Sequence, residues 1–190
     1  MQPVTLDWRG PFSWPGFERE NGQQPIPSIS GVYLQTFHNG RDFVVYAAGI
    51  TRRRVSTRFR EHTRKYLSGE YNVLHAPSAE RGIRREIWHG WAYARSHQEE
   101  FVERQNEITE AVRGQLAAFR IFVADPGSEN RLLERIEARI MALLYEQPSP
   151  FSELPDRGMH LAPRRPEEPP IPVVSKAACR LLGIPGRFDV

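Results

Sequence analysis

The chain has 190 residues, 39% of them hydrophobic and 26% charged, with a formal net charge of +3 and a pI near 9.3. That length holds one domain with insertions and a sizeable core, and that balance excludes a disordered or fibrous chain. The single cysteine, Cys179, excludes a disulfide framework and a cysteine-based zinc site.

The opening segment, residues 1–30, is rich in Pro, Gly and Gln. It reads as extended chain with turns and a short strand over Val4 to Trp8. Trp8, Phe12, Trp14 and Phe17 are too many large apolar groups for a free tail, so this extension is expected to cover part of the core. Gly31 to Phe37 reads as a strand, His38-Asn39-Gly40-Arg41 as a tight turn, and Asp42 to Ala48 as the returning strand of an antiparallel hairpin. A helix is predicted from about Arg54 to Leu67, ending before Ser68-Gly69. On it Val55, Phe59, His62 and Tyr66 share one face, with Arg58 at its edge, so Arg58 and His62 project to neighbouring positions.

Glu70 to Tyr93 is irregular and places Trp88, Trp91 and Tyr93 among basic residues. A second helix is predicted over Ser96 to Gln115, with Phe101, Ile108, Val112 and Leu116 on one stripe. Ala117 to Ala124 reads as a third strand, broken by Asp125-Pro126-Gly127-Ser128. Ser128 is then placed to cap a helix over Glu129 to Glu146. Leu132, Leu133, Ile136, Ile140, Leu143 and Leu144 form the stripe of that helix, and Glu137 lies on its border. Residues 147–190 are proline-rich and read as a wrap or linker, with a short helix near Ser175 to Leu182. No basic-then-apolar leader and no apolar run of about 18 residues occurs. A cytoplasmic protein without a membrane segment is the expectation.

Arginine supplies most of the basic side chains. Arg52, Arg53, Arg54, Arg58, Arg60, Arg64 and Lys65 crowd the first long helix and its approach, and Arg81, Arg84 and Arg85 form a second group. Such patches suit nucleic acid, although a solvated arginine-rich surface gives the same composition.

In order along the chain stand Gly31-Val32-Tyr33, Tyr46-Ala47-Ala48-Gly49, Arg58-Phe59-Arg60-Glu61-His62 and Glu137-Ala138-Arg139-Ile140-Met141. This series resembles the GIY-YIG nuclease superfamily, closest to its stand-alone restriction-type members. There a G-I/V-Y strand pairs with a Y-x-G strand, an R-x-x-x-H helix follows, and a Glu on a later helix binds metal. The chain departs from that pattern twice. Its second motif has one residue too many, and Pro148-Ser149-Pro150-Phe151 stands near the family's Asn. The resemblance implies an α+β fold: a small three-stranded antiparallel sheet flanked by helices, over residues 31–146, with an insert at about 70–116 before the third strand and a C-terminal wrap. It also implies an endonuclease that hydrolyses DNA phosphodiester bonds, of a restriction, defence or mobile-element kind, with RNA not excluded as substrate.

Cutting a phosphodiester needs a positioned water, neutralisation of charge building on the phosphate, and help for the leaving oxygen. On the resemblance, Glu137 would hold Mg²⁺ or Mn²⁺, a cation suited to sparse protein ligation. Arg58 would grip the phosphate with its forked guanidinium. Tyr33 would be the general base or orient the water, Tyr46 would contact the phosphate or Tyr33, and His62 would orient a tyrosine or the water. Arg52, Arg53, Arg60, Arg64, Lys65, Arg84 and Arg85 are the candidate nucleic-acid contacts. Taken singly, each residue has an ordinary reading: strand aromatics that pack, a helix-surface Glu or Arg, a satisfied core His. The alternative function is a catalytically inactive nucleic-acid-binding module with the same fold. His75, His89 and His97 lack metal-ligand spacing.

Overall fold

The N-terminal segment forms a long strand, β1 (Val4–Ser13), followed by the single turn α1 (Glu18–Asn21) in the computed structural model, which describes residues 2–190. β1 carries Trp8 into the core and Trp14 follows directly after its end, where the Trp14 indole N–H donates to Thr63 Oγ1 at 2.8 Å. The hairpin follows as β2 (Gly31–Asn39) and β3 (Asp42–Thr51), turning at Gly40 with φ +63°. The first long helix is α2 (Val55–Leu67), which buries Val55, Phe59, His62 and Tyr66. These are the four residues that helical spacing puts on one face.

The insert is more ordered than its sequence suggests. Two short strands, β4 (Val73–Leu74) and β5 (Glu86–Trp88), pair around the turn α3 (Ala76–Ala79). A short helix, α4 (Trp91–Ser96), precedes the helix expected over Ser96 to Gln115, which is itself two pieces, α5 (Gln98–Glu103) and α6 (Gln105–Ala118). The break between α4 and α5 has a local cause. The His97 ring stacks on Tyr93 with centroids 3.6 Å apart, and its Nδ1 bonds the Tyr93 carbonyl at 2.9 Å, competing with the helical ladder. β6 (Phe119–Ala124) leads to α7 (Asn130–Tyr145). Glu129, not Ser128, caps α7. Its carboxylate accepts from the Arg131 and Leu132 amides at 3.1 and 3.0 Å.

The tail holds strands where a helix was expected: β7 (Pro172–Ala177), β8 (Leu181–Leu182) and β9 (Arg187–Asp189). The adjacent Val173 and Val174 favour extended chain, and β1 offers β7 a parallel edge from Val4↔Val173 to Trp8↔Ala177. α7 ties down the proline-rich approach to these strands. The Arg131 guanidinium forks onto Glu168 and also donates to the Ala162 and Pro163 carbonyls.

The expected small three-stranded antiparallel sheet is overturned. Among the described residues the strands form a seven-stranded mixed sheet of order β8-β3-β2-β6-β1-β7-β9, beside the two-stranded β4-β5 pair. The antiparallel unit β3-β2-β6 sits inside it. β1 and the tail strands extend that unit on both sides. This sheet has to curl. β7 and β8 stand five strand intervals apart, about 24 Å if flat at ~4.8 Å per interval. Ala177 and Leu181, which end and begin those strands, are joined by a chain that spans only about 14 Å fully extended. Among the described residues no helix is long and apolar enough to cross a membrane.

Trp14 is fully buried, stacked on Phe119 at 5.4 Å and edge-on to Phe59 at 4.5 Å. Trp14→Ala is expected to lower the unfolding free energy by about 3–5 kcal/mol, read from denaturant midpoints. A loss under about 1 kcal/mol would show that β1 is not an integral part of the core.

Candidate active site

The hairpin is irregular where it matters. Gln35 pairs with Ala47 and Thr36 with Val45, so Tyr46 is the extra residue of a β-bulge. The bulge absorbs the one residue by which Tyr46-Ala47-Ala48-Gly49 exceeds a Y-x-G spacing, and it leaves Gly49 directly opposite Tyr33. A β-carbon on Gly49 would overlap the Tyr33 ring carbon Cζ and hydroxyl. The Ala48 amide beside the bulge is satisfied from α7, by Met141 Sδ at 3.2 Å.

With its ring laid over Gly49, Tyr33 points its hydroxyl at α2. Its oxygen is 2.9 Å from His62 Nε2, and His62 Nδ1 is 3.1 Å from the Tyr71 hydroxyl. Burial, opposed by the neighbouring Arg58, pushes the Tyr33 phenol up and keeps it protonated at neutral pH. Burial, reinforced by the positive charges of Arg58 and Lys65, pushes His62 down to about 3, so the imidazole is neutral. A neutral imidazole donates from one nitrogen and accepts at the other. The bonds to Tyr33 and Tyr71 thus use both ring nitrogens, one as donor and the other as acceptor.

Arg58 reaches Glu61 at 3.4 Å, while its Nε is buried without a hydrogen-bond partner. An unmatched buried donor on a cation costs about 1–3 kcal/mol or more. Glu137 comes in from α7. Burial raises it to about 7, against the pull of Arg58 and of the Ile50 amide, so it is poised between charged and neutral at physiological pH. Tyr33, Tyr46, Arg58, His62 and Glu137 all line one cavity of about 470 Å³.

Further polar groups in that cavity were missed in the sequence: Gln35, Tyr71, Arg95, Asp156 and His160. Gln35 is buried and its Oε1 has no partner. Asp156 is buried at the hub of a polar network. It accepts from the Tyr46 hydroxyl at 2.6 Å, Asn72 Nδ2 at 2.7 Å and Arg84 at 2.9 Å. Tyr46, 1% exposed, is therefore held by Asp156 and not by Tyr33. No periodicity marks Asp156, which lies in the tail, or Tyr71, which lies just past the end of α2.

The basic candidates divide. Arg52, Arg60, Arg64 and Arg85 are exposed. Arg53 is exposed but forks onto Glu61 at 2.7 and 2.9 Å. Lys65 pairs with Glu70 at 3.2 Å, over the Tyr71 ring. Arg84 is occupied by Asp156, Glu86 and the Leu154 carbonyl.

Among the described residues no group of three or more His, Cys, Asp or Glu side chains could hold a metal ion. In the cavity Asp156 is taken up by Tyr46, Asn72 and Arg84, which leaves Glu137 as the carboxylate that could hold a hard cation keeping most of its waters. Glu137 fits that role, being a raised, partly buried carboxylate beside open volume. The chain matches no protein-family model, no curated protein and no solved structure with which it was compared.

Two outcomes follow from this geometry. Asp156→Ala is expected to cost about 2–4 kcal/mol of stability, because it leaves the buried Tyr46 hydroxyl and Asn72 amide without their acceptor, while Arg84 keeps Glu86. Chemical denaturation checks this, and a loss below about 1 kcal/mol would show that the network is dispensable. The second concerns pH. The folded-state value of His62 lies below its ordinary 6.5, so the unfolded chain binds the proton more readily. The stabilisation is full above pH 6.5 and is lost as pH falls through about 3. From this group alone, unfolding titrations should show about 2 kcal/mol lost between pH ~6.5 and ~5, and His62→Gln should remove that loss. An unchanged pH slope in the variant would contradict a buried neutral imidazole.

Proposed function

We infer that the protein is a metal-dependent endonuclease of the GIY-YIG type that hydrolyses phosphodiester bonds in DNA. The observation carrying this reading is that Tyr33, Arg58, His62 and Glu137, drawn from a strand and two helices, line one cavity with the histidine bonded to the tyrosine. Packing alone does not call for an unmatched guanidinium Nε and a raised carboxylate in the same hollow.

The division of labour follows from each group's state. A water adds to phosphorus, one P–O bond breaks, and the departing oxygen takes up a proton. Arg58 stays charged throughout and binds the phosphate oxygens through its guanidinium. Tyr33 orients the attacking water. Its phenol is too basic to be ionised at neutral pH, so its part is to hold the water by hydrogen bonding, its hydroxyl fixed in turn by the neutral His62 ring. Tyr71, half-buried on the far side of the imidazole, extends that chain toward solvent. Glu137 would hold Mg²⁺ or Mn²⁺, and the cation would supply neutralisation of charge growing on the phosphate. Arg52, Arg60 and Arg64 are exposed cations on and beside α2 and are suited to flanking phosphates. Tyr46 is a positioning residue, acting through the bulge and Asp156.

A second reading, a nucleic-acid-binding module without catalysis, is favoured by one observation: the Tyr46 hydroxyl is committed to Asp156 and withdrawn from a phosphate. Plasmid nicking with Mg²⁺ or Mn²⁺ separates the two. The wild type is expected to nick. Glu137→Ala and Arg58→Ala are expected to lose at least about 100-fold in rate, with circular dichroism unchanged. DNA binding without cutting by the wild type selects the module. Undiminished cutting by Glu137→Ala removes that residue from the reaction.

A further inference from the structure

Trp91 is the one non-glycine residue with positive φ among the described residues, at +56°. For a bulky side chain this conformation costs about 1–3 kcal/mol and persists only where the surroundings enforce it. Here they do. Gly90 passes so close to the backbone of Tyr71 that a β-carbon would overlap it, and the Gly90 amide donates to Asn72 Oδ1 at 2.7 Å. The Trp91 amide donates to the Glu70 carbonyl at 2.8 Å. Asn72 is also bonded to Asp156, so the network that holds Tyr46 also sets Trp91. The outcome is an indole that is 39% exposed, tilted against Tyr71 with ring centroids 5.1 Å apart.

That indole stands between two hollows. One is the cavity of Tyr33 and Glu137. The other, about 510 Å³, is lined by Lys65, Tyr71, Trp88, Trp91, Arg95 and Phe101. Tyr71, Trp91 and Arg95 belong to both. The second hollow has a floor of buried Trp88, whose N–H is taken by the Gly69 carbonyl at 2.8 Å, and a rim carrying Arg95, Lys65 and the Glu70 that pairs with Lys65. Flat aromatic walls with cations at the edge suit a planar ring that carries a phosphate.

We propose that this second hollow seats an unpaired nucleobase of the DNA strand, stacked on Trp91, next to the phosphate held at Arg58. The inference rests on the nuclease reading and adds a substrate class: strands with a single-stranded or extrahelical base beside the cut. A fully paired base cannot enter, because its faces are covered by its neighbours in the duplex.

The test is fluorescence anisotropy of the full chain in EDTA, where no cutting intervenes. The probes are one labelled DNA sequence as a single strand, as a perfect duplex and as a duplex with one unpaired base. The wild type should bind the single strand and the unpaired-base duplex more tightly than the perfect duplex. Trp91→Gly keeps the φ without strain, and Trp91→Ala is its companion. Each should weaken binding to the first two probes about 10-fold or more, while Trp91→Phe retains most of it. Thermal melts confirm that the variants are folded. Wild-type-like binding by both Trp91→Gly and Trp91→Ala overturns the proposal, as does an equal loss on all three probes. If the wild type binds none of the probes, the proposal falls together with the nuclease reading. If plasmid nicking persists while the Trp91 variants bind normally, the proposal falls alone.

Discussion

The ring of Tyr33 occupies the volume that a side chain at position 49 would fill. Only glycine permits it, and the rest of the site is arranged around that contact. A phenol laid across the neighbouring strand is held on its flat side, so its hydroxyl is delivered at a fixed height toward α2. There His62 and Arg58 meet it from adjacent positions of one helix. The bulge at Tyr46 is the other half of the device. It puts Gly49 in register with Tyr33 and turns the Tyr46 hydroxyl to Asp156. A regular hairpin with the same residues would shift every side chain beyond position 46 to the opposite face.

The electrostatics of the cavity share one origin. Burial favours the neutral forms of Tyr33, Glu137 and His62, raising the first two and lowering the third. Arg58 is the exception, since a guanidinium stays charged. Arg58 and Arg95 are permanent cations on the cavity wall, and Asp156 is already paired with Arg84. An anionic phosphate would offset that positive charge, and Glu137, poised between charged and neutral, is the carboxylate that a cation would draw into its ionised form.

The parts of the fold that were legible in the sequence are those set by near neighbours. Asn39-Gly40 specifies the turn. The spacing of Val55, Phe59, His62 and Tyr66 specifies the buried face of α2, and the border position of Glu137 on α7 follows from the same periodicity. The wider sheet was not legible, because its outer strands are made by pairing between the two ends of the chain, as in Val4 with Val173. A two-residue strand such as Leu181–Leu182 has no pattern of its own, and the helix-forming run around it lost to the open edges of β1 and β3. For the site, Tyr33, Arg58, His62 and Glu137 were picked out by the motif resemblance, each standing on an element whose pattern was readable. Asp156, Gln35 and Tyr71 were not, since their roles come from three-dimensional neighbours alone. Asp156 in particular gains its meaning from Asn72 and Arg84, about 70 to 80 residues earlier in the chain.

The central claim is that one carboxylate, Glu137, can hold a cation within reach of Tyr33 and Arg58. Crystals soaked in Mn²⁺ and measured at the manganese absorption edge test this most directly. The account gives an anomalous peak at coordination distance from the Glu137 carboxylate, with waters completing the shell, and no such peak in Glu137→Gln. A peak that persists in Glu137→Gln, or manganese bound only elsewhere on the molecule, would contradict it.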